Sequence, residues 1–178
     1  MAQYAVPISD VAGAATGVTT NGSCGPSYTS CIDDGIESNP QDSGTYVQLV
    51  TTGGFPDTND GALKVNLTSL STPEAGTKTL RMVARTPSAF IGDTCNVLLE
   101  DGTSSQTLSF TTSDNNWTLL SNTVTTNFNW SSLTANMQYA GFSSFQVGDL
   151  ELEIPDEEGG GGGGAGPKLN PEAFLMFL

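Results

Sequence analysis

Gly148-Asp149-Leu150-Glu151-Leu152-Glu153-Ile154 alternates carboxylates with aliphatic side chains without a break. Successive side chains of an extended strand point to opposite faces, so this stretch reads as a β-strand. Leu150, Leu152 and Ile154 face inward on that reading, and Asp149, Glu151 and Glu153 face outward. Pro155 ends it, because proline cannot continue a ladder of backbone hydrogen bonds.

The same period of two recurs upstream. Thr45–Thr52 sets Val47 and Leu49 on one face, and Gly61–Leu67 sets Leu63, Val65 and Leu67 inward with Lys64 and Asn66 outward. Thr77–Arg85 buries Leu80, Met82 and Ala84 and turns Arg81 and Arg85 out. Thr94–Glu100 offers Cys95, Val97 and Leu99, and Ser105–Thr111 offers Leu108 and Phe110. Trp117–Val124 and Met137–Phe142 complete the series. Turn formers separate the runs, among them Asp60-Gly61, Asp101-Gly102 and Ser113-Asp114-Asn115-Asn116. Glu100-Asp101-Gly102-Thr103, between two alternating runs, is the best hairpin signal. Short strands at this spacing predict an all-β protein, an antiparallel jelly-roll-like β-sandwich. Helix is scarce; Asn129–Leu133 offers one turn.

The organisation expected is a loop-rich N-terminal segment at 1–44, a sandwich core at 45–155, an acidic and Gly-rich linker at 156–166 and a hydrophobic C-terminal anchor at 167–178. The linker contains six consecutive glycines, Gly159–Gly164, and behaves as flexible coil. Behind it, Phe174, Leu175, Met176, Phe177 and Leu178 form an apolar hook. Such a hook needs a surface to be ordered, either as a helix begun at Asn170-Pro171-Glu172 or as a strand added to a sheet edge.

Composition narrows the function. Charged residues make up 13% of the chain, about half the usual share. Nineteen carboxylates face five cations, a net charge of −14, and phosphate neutralisation needs clustered Lys and Arg, so nucleic acid is not an expected partner. No apolar run approaches a transmembrane length, so no membrane partner is expected, and no basic residue precedes Lys64, so a secretory signal is not expected either.

The absence of histidine excludes Ser-His-Asp and Cys-His machinery, and no phosphate-binding glycine motif is present. Asp33, Asp34, Glu37, Asp57 and Asp60 are available as paired carboxylates for glycoside hydrolysis, but isolated acids in Gly-rich loops ordinarily serve turns. The expectation is therefore a protein that is not an enzyme. No cofactor is expected. Asp57, Asn59 and Asp60 form an oxygen-rich loop with the chemistry for a structural Ca²⁺, set against plain turn chemistry as the default, and no other metal site is indicated. Cys24 and Cys31 close a small loop if oxidised and stay thiols in a reducing compartment, which leaves Cys95 odd. Trp117, Trp130, Tyr139, Tyr28 and Tyr46 are the rings available for a sugar-binding platform, and of these Trp117 reads as core because it lies in an apolar run. Trp130, flanked by Asn129 and Ser131, and Tyr28 are the candidates for stacking against a glycan.

Three stretches carry a resemblance: Cys31–Leu49, Leu80–Thr86 and Gly148–Ile154. Together with the acidic, Thr/Ser/Gly-rich composition and the glycine tail, they resemble small structural proteins of tailed-bacteriophage virions, especially capsid decoration (cement) proteins and tail-fibre modules. The resemblance spans roughly residues 31–155 and carries over no functional residue. It implies a non-enzymatic virion protein, made in the host cytoplasm, that stabilises the shell as a dimer or trimer. Its C-terminal hook would anchor to a capsid or other virion protein. The alternative, from the aromatic residues, is a carbohydrate-binding or adhesin module of a tail fibre or receptor-binding protein.

Overall fold

The computed structural model describes residues 3–22, 24, 27–33, 36, 45–51, 61–70, 77–87, 93–113, 115–141 and 143–154. The hook Phe174–Leu178, the linker, and Asp34, Glu37, Asp57, Asn59 and Asp60 lie outside them. Eleven strands are formed: β1 (Gln3–Ala5), β2 (Pro7–Thr16), β3 (Val18–Asn21), β4 (Tyr46–Val50), β5 (Gly61–Leu67), β6 (Lys78–Arg85), β7 (Thr94–Glu100), β8 (Ser105–Thr111), β9 (Thr118–Val124), β10 (Thr134–Tyr139) and β11 (Ser144–Ile154). One sheet, here sheet A, runs β3-β4-β11-β6-β9, with β1 also paired to β11. The other, sheet B, runs β2-β5-β10-β7-β8, and every pairing is antiparallel. From β4 to β7, and again from β8 to β11, the chain changes sheet at each connection. The result is a jelly-roll-like sandwich.

The strand read first from the sequence is the middle of sheet A. β6 runs along one edge of β11, while β4 and then β1 share the other. A register shift between Val147 and Asp149 marks a β-bulge at Gly148. One extra residue reverses the parity of everything beyond it. Phe145 and Val147 therefore point into the core before the bulge, and Leu150 and Leu152 after it, all fully buried. At the bulge Leu150 N–H donates to Ile32 O at 3.3 Å, which ties the loop after a short 3-10 turn (Thr29–Cys31) to the sheet.

Between the sheets, Leu63, Val65, Leu80, Met82, Val97, Leu99 and Met137 pack with the β11 aliphatics into one core. Cys95 lies within it, and burial pushes its thiol up to about 12. Asp101 builds the β7–β8 hairpin. Its carboxylate accepts Thr103 N–H (2.7 Å), Ser104 N–H (2.6 Å) and, across the loop, Asn129 N–H (2.6 Å), while Gly102 takes a φ of 88° that a side chain would resist. The edge strands β8 and β9 are stitched together by side chains. Gln106 donates to Thr123 O and accepts from Thr125 and Thr126 N–H, and Asn122 donates to Ser109 O. Neither edge is then a bare template for another strand.

The structure corrects four expectations. The segment 1–44 is not only loop, because β1, β2 and β3 lie in it. Their residues alternate poorly, since β2 follows β5 through two register shifts and is exposed over most of its length. β10 begins at Thr134 rather than Met137, so that Ala135, Met137 and Tyr139 fill the core. Asn129–Leu133 is a turn and not a helix. Finally, Asp149 and Glu151 do leave the core, but they are only 1% and 2% exposed.

Candidate binding surface

The outward residues of the two sheets differ in kind. Sheet B presents mainly polar side chains, Lys64, Asn66, Asn96, Glu100, Thr107, Ser109, Thr111, Asn136 and Gln138, with Lys64 paired to Glu100, Leu98 and Ala62 among them, and Ile8 exposed on β2. Sheet A presents rings and arginines. The register sets Gln48 of β4 beside Gln146 of β11, and Gln146 beside Arg85 of β6. Ala84 pairs with Thr118 of β9, which brings Trp117, one residue before that strand, alongside Arg85.

These residues form one cluster. The Arg85 guanidinium carbon lies 4.6 Å from the Trp117 ring centroid and 5.7 Å from that of Tyr46. The two rings are 5.5 Å apart at 59°. Asn21 Nδ2 donates to Tyr46 Oη at 2.6 Å, which holds the tyrosine. Arg85 Nε donates to Gln146 Oε1 at 2.7 Å, and Gln146 Nε2 donates to Gln48 Oε1 at 2.6 Å. Arginine has no acceptor, so it dictates the sense of both amides and leaves the Gln48 NH₂ as the last donor of the row. Gln146 and Tyr46 are buried, while Trp117, Arg85 and Gln48 at the margins are half-exposed. Leu119, two residues along from Trp117 on the same face, is 48% exposed and extends the apolar strip.

The other half of the face is closed. Arg81 pairs with Glu151 and with Glu153 (3.5 Å) and lies over the Tyr4 ring at 5.7 Å, and Glu151 also accepts Ile36 N–H at 3.1 Å. That neutralisation accounts for the burial of Glu151, a carboxylate expected in solvent. Among the described residues no group of three or more His, Cys, Asp or Glu is placed to hold a metal ion.

Of the stacking candidates from the sequence, Trp130 is not available. It is 2% exposed, edge-on to Phe128 at 5.6 Å, with Lys78 Nζ 5.6 Å above its ring, because the turn before β10 folds back and Leu70 N–H donates to its carbonyl. Tyr28 is half-buried against the core, and its backbone N–H and that of Thr29 are both held by the Asp10 carboxylate. No ring contact joins the two among the described residues. Cys24 and Cys31 are bonded as a disulfide across this loop. Trp117, read as core, instead faces outward. Its flanking Thr118 and Asn116 and its outward parity with Leu119 were the available signal. That Tyr46, Gln48, Gln146 and Arg85 meet beside it follows from the lateral order of four strands, which no local pattern encodes.

No family profile matches the chain, and no curated protein matches it. Solved structures do. An isomalto-dextranase from Arthrobacter globiformis T6, complexed with panose, aligns with 86% of this chain at 12% identity and a TM-score of 0.50. The chain spans 23% of that enzyme's length. A family 35 carbohydrate-binding module from Clostridium thermocellum aligns over 80% of this chain and 90% of its own at 13% identity and a TM-score of 0.44. The enzymatically active domain of tailspike protein 4 from bacteriophage CBA120 aligns over 85% of this chain and 19% of its own at 9% identity and a TM-score of 0.47. At these identities the likeness concerns the fold and not the ligand.

Proposed function

We propose that the protein is a non-catalytic carbohydrate-binding module and that the outer face of sheet A around Trp117 is its binding surface. The observation that carries this reading is the cluster itself: a half-buried indole and an exposed leucine in line, with an arginine over the indole and an amide row beside it. Sugars present apolar C–H faces rimmed by hydroxyls, and an aromatic ring beside fixed hydrogen-bonding groups complements both. The Cys24–Cys31 disulfide fits work outside a reducing cytosol, where glycans of cell surfaces are met. The shell-decoration role expected from the sequence came from a resemblance in style, its proposed anchor lies outside the described residues, and the carbohydrate-binding alternative is the reading supported here.

A glycan array followed by calorimetry tests the reading. The intact protein is expected to bind at least one oligosaccharide. Trp117→Ala should weaken that binding about tenfold, equivalent to loss of roughly 1.4 kcal/mol of stacking and desolvation. Trp130→Phe, which alters a buried ring, should leave it within twofold. Absence of any glycan ligand, or a Trp117→Ala protein that binds like the parent, overturns the assignment.

A further inference from the structure

Resting on that reading, we infer that the glycan is acidic and that Arg85 receives a sugar carboxylate. β6 turns Arg81 and Arg85 to the same face, and β11 lies beside both. Opposite Arg81 stands Glu151, and the pair is bonded; opposite Arg85 stands Gln146. The outward residues of β11 beyond the bulge are Asp149, Glu151 and Glu153. An amide, not an acid, occupies the one position where an acid would neutralise Arg85.

The chain carries 19 carboxylates and five cations, and the two arginines of β6 differ in how they are matched. Lys64 is paired with Glu100 and Arg81 with two glutamates, whereas Arg85 has no carboxylate partner among the described residues. Its contacts are two ring faces and one amide oxygen. The rings hold the guanidinium without consuming its hydrogen bonds, and among the described residues only Nε is bonded. The four N–H groups of Nη1 and Nη2 remain, in the fork geometry that matches a carboxylate.

The amide row ends in a donor as well. Because Arg85 orients Gln146, and Gln146 orients Gln48, the free end of the row is the Gln48 NH₂. A surface with a donor surplus at each end selects a ligand rich in acceptors and negatively charged. Gln48 and Arg85 sit two strand spacings apart, roughly 10 Å, which is about the length of two sugar units.

The probes are uronate oligosaccharides (galacturonate, glucuronate, mannuronate and guluronate), each paired with its carboxyl-reduced counterpart, and the readout is calorimetric affinity. At least one uronate is expected to bind ten times or more tightly than its reduced partner. Arg85→Gln should bring the two within twofold. Arg85→Lys should recover only part of the preference, since the charge remains and the fork is lost. Gln146→Glu is the sharper variant, because it supplies Arg85 with the same cross-strand partner that Arg81 has. It should fold at least as stably as the parent and yet lose the preference. Equal binding of acid and reduced forms by the parent, or a preference that survives Gln146→Glu and Arg85→Gln, overturns the inference while leaving a neutral-glycan module standing. Binding of no glycan at all overturns both.

Discussion

Gly61 opens β5 where β4 crosses from the other sheet, and a methyl group there has nowhere to go. A Cβ built on it lies 2.7 Å from Val50 N, 2.8 Å from Val50 O and 3.1 Å from Leu49 C, all backbone atoms of β4. Ordinary contact would need β4 to retreat by roughly 0.6 Å. That strand is held on both sides: Val50 N–H donates to Gly17 O at 2.8 Å, and Val50 is in register with Ser144 of β11. Overpacking against a fixed backbone costs about 1–3 kcal/mol, and the stiffer unfolded chain returns about 0.4–1 kcal/mol, so Gly61→Ala should lose about 1–2 kcal/mol. For a chain of this size that lowers Tm by about 2–8 °C, measured by thermal unfolding with an unchanged urea m value. β4 also carries Tyr46 and Gln48, so glycan affinity should fall with it. A Gly61→Ala protein that melts at or above the parent's Tm would refute the claim that sheet A and sheet B meet here backbone to Cα.

The other expectations are more local. Asn129 N–H, with Ser104 and Thr103 N–H, holds the Asp101 carboxyl below its ordinary range, so its stabilisation is present above the unfolded value and is lost as pH falls through the folded one. The Tm gap between parent and Asp101→Ala should therefore be full at neutral pH and shrink in acid. Burial first, and then donation to Asp93 at 2.7 Å, pushes Tyr139 up to about 12. A raised value means its stabilisation is full below the unfolded value near 10 and is lost as pH climbs toward 12. A late tyrosine step should appear by ultraviolet absorbance, and Tyr139→Phe should remove it. Replacing Cys24 and Cys31 with serine should cost about 2–3 kcal/mol by freeing a short loop in the unfolded chain, read as a fall in urea midpoint.

How much of this was legible beforehand depended on the range of the cause. β5, β7 and β8 have the bounds that alternation assigned, because each has one face in the core and one in solvent, and period two records that contrast directly. β1–β3 were missed because β2 is an exposed edge strand with little apolar signal to record. Trp117 and Trp130 were exchanged for a related reason. Both are flanked by polar residues, and what separates them is whether a turn folds the ring inward, as at Trp130, or a strand turns it outward, as at Trp117. The outward set Tyr46, Gln48, Arg85 and Gln146 could be written down strand by strand. Its convergence needed the order β4-β11-β6-β9, which joins residues up to 100 positions apart.

The bulge at Gly148 gives that convergence its chemical sense. Without it, the outward parity of β11 would continue from Gln146 through Gly148 to Leu150 and Leu152, setting aliphatics on the outer face and carboxylates in the core. With it, the strand changes register once and the outer face divides at that point. Beyond the bulge β11 offers acids, and Arg81 is consumed by them. Before the bulge it offers Ser144 and Gln146, and Arg85 is steadied by rings and an amide instead. Its ion pairs use up Arg81, whereas among the described residues the rings and one amide leave most of the Arg85 hydrogen-bonding capacity unspent. Placing one arginine of the same strand in each environment is the arrangement expected of a face with one half built for stability and the other kept open for a ligand.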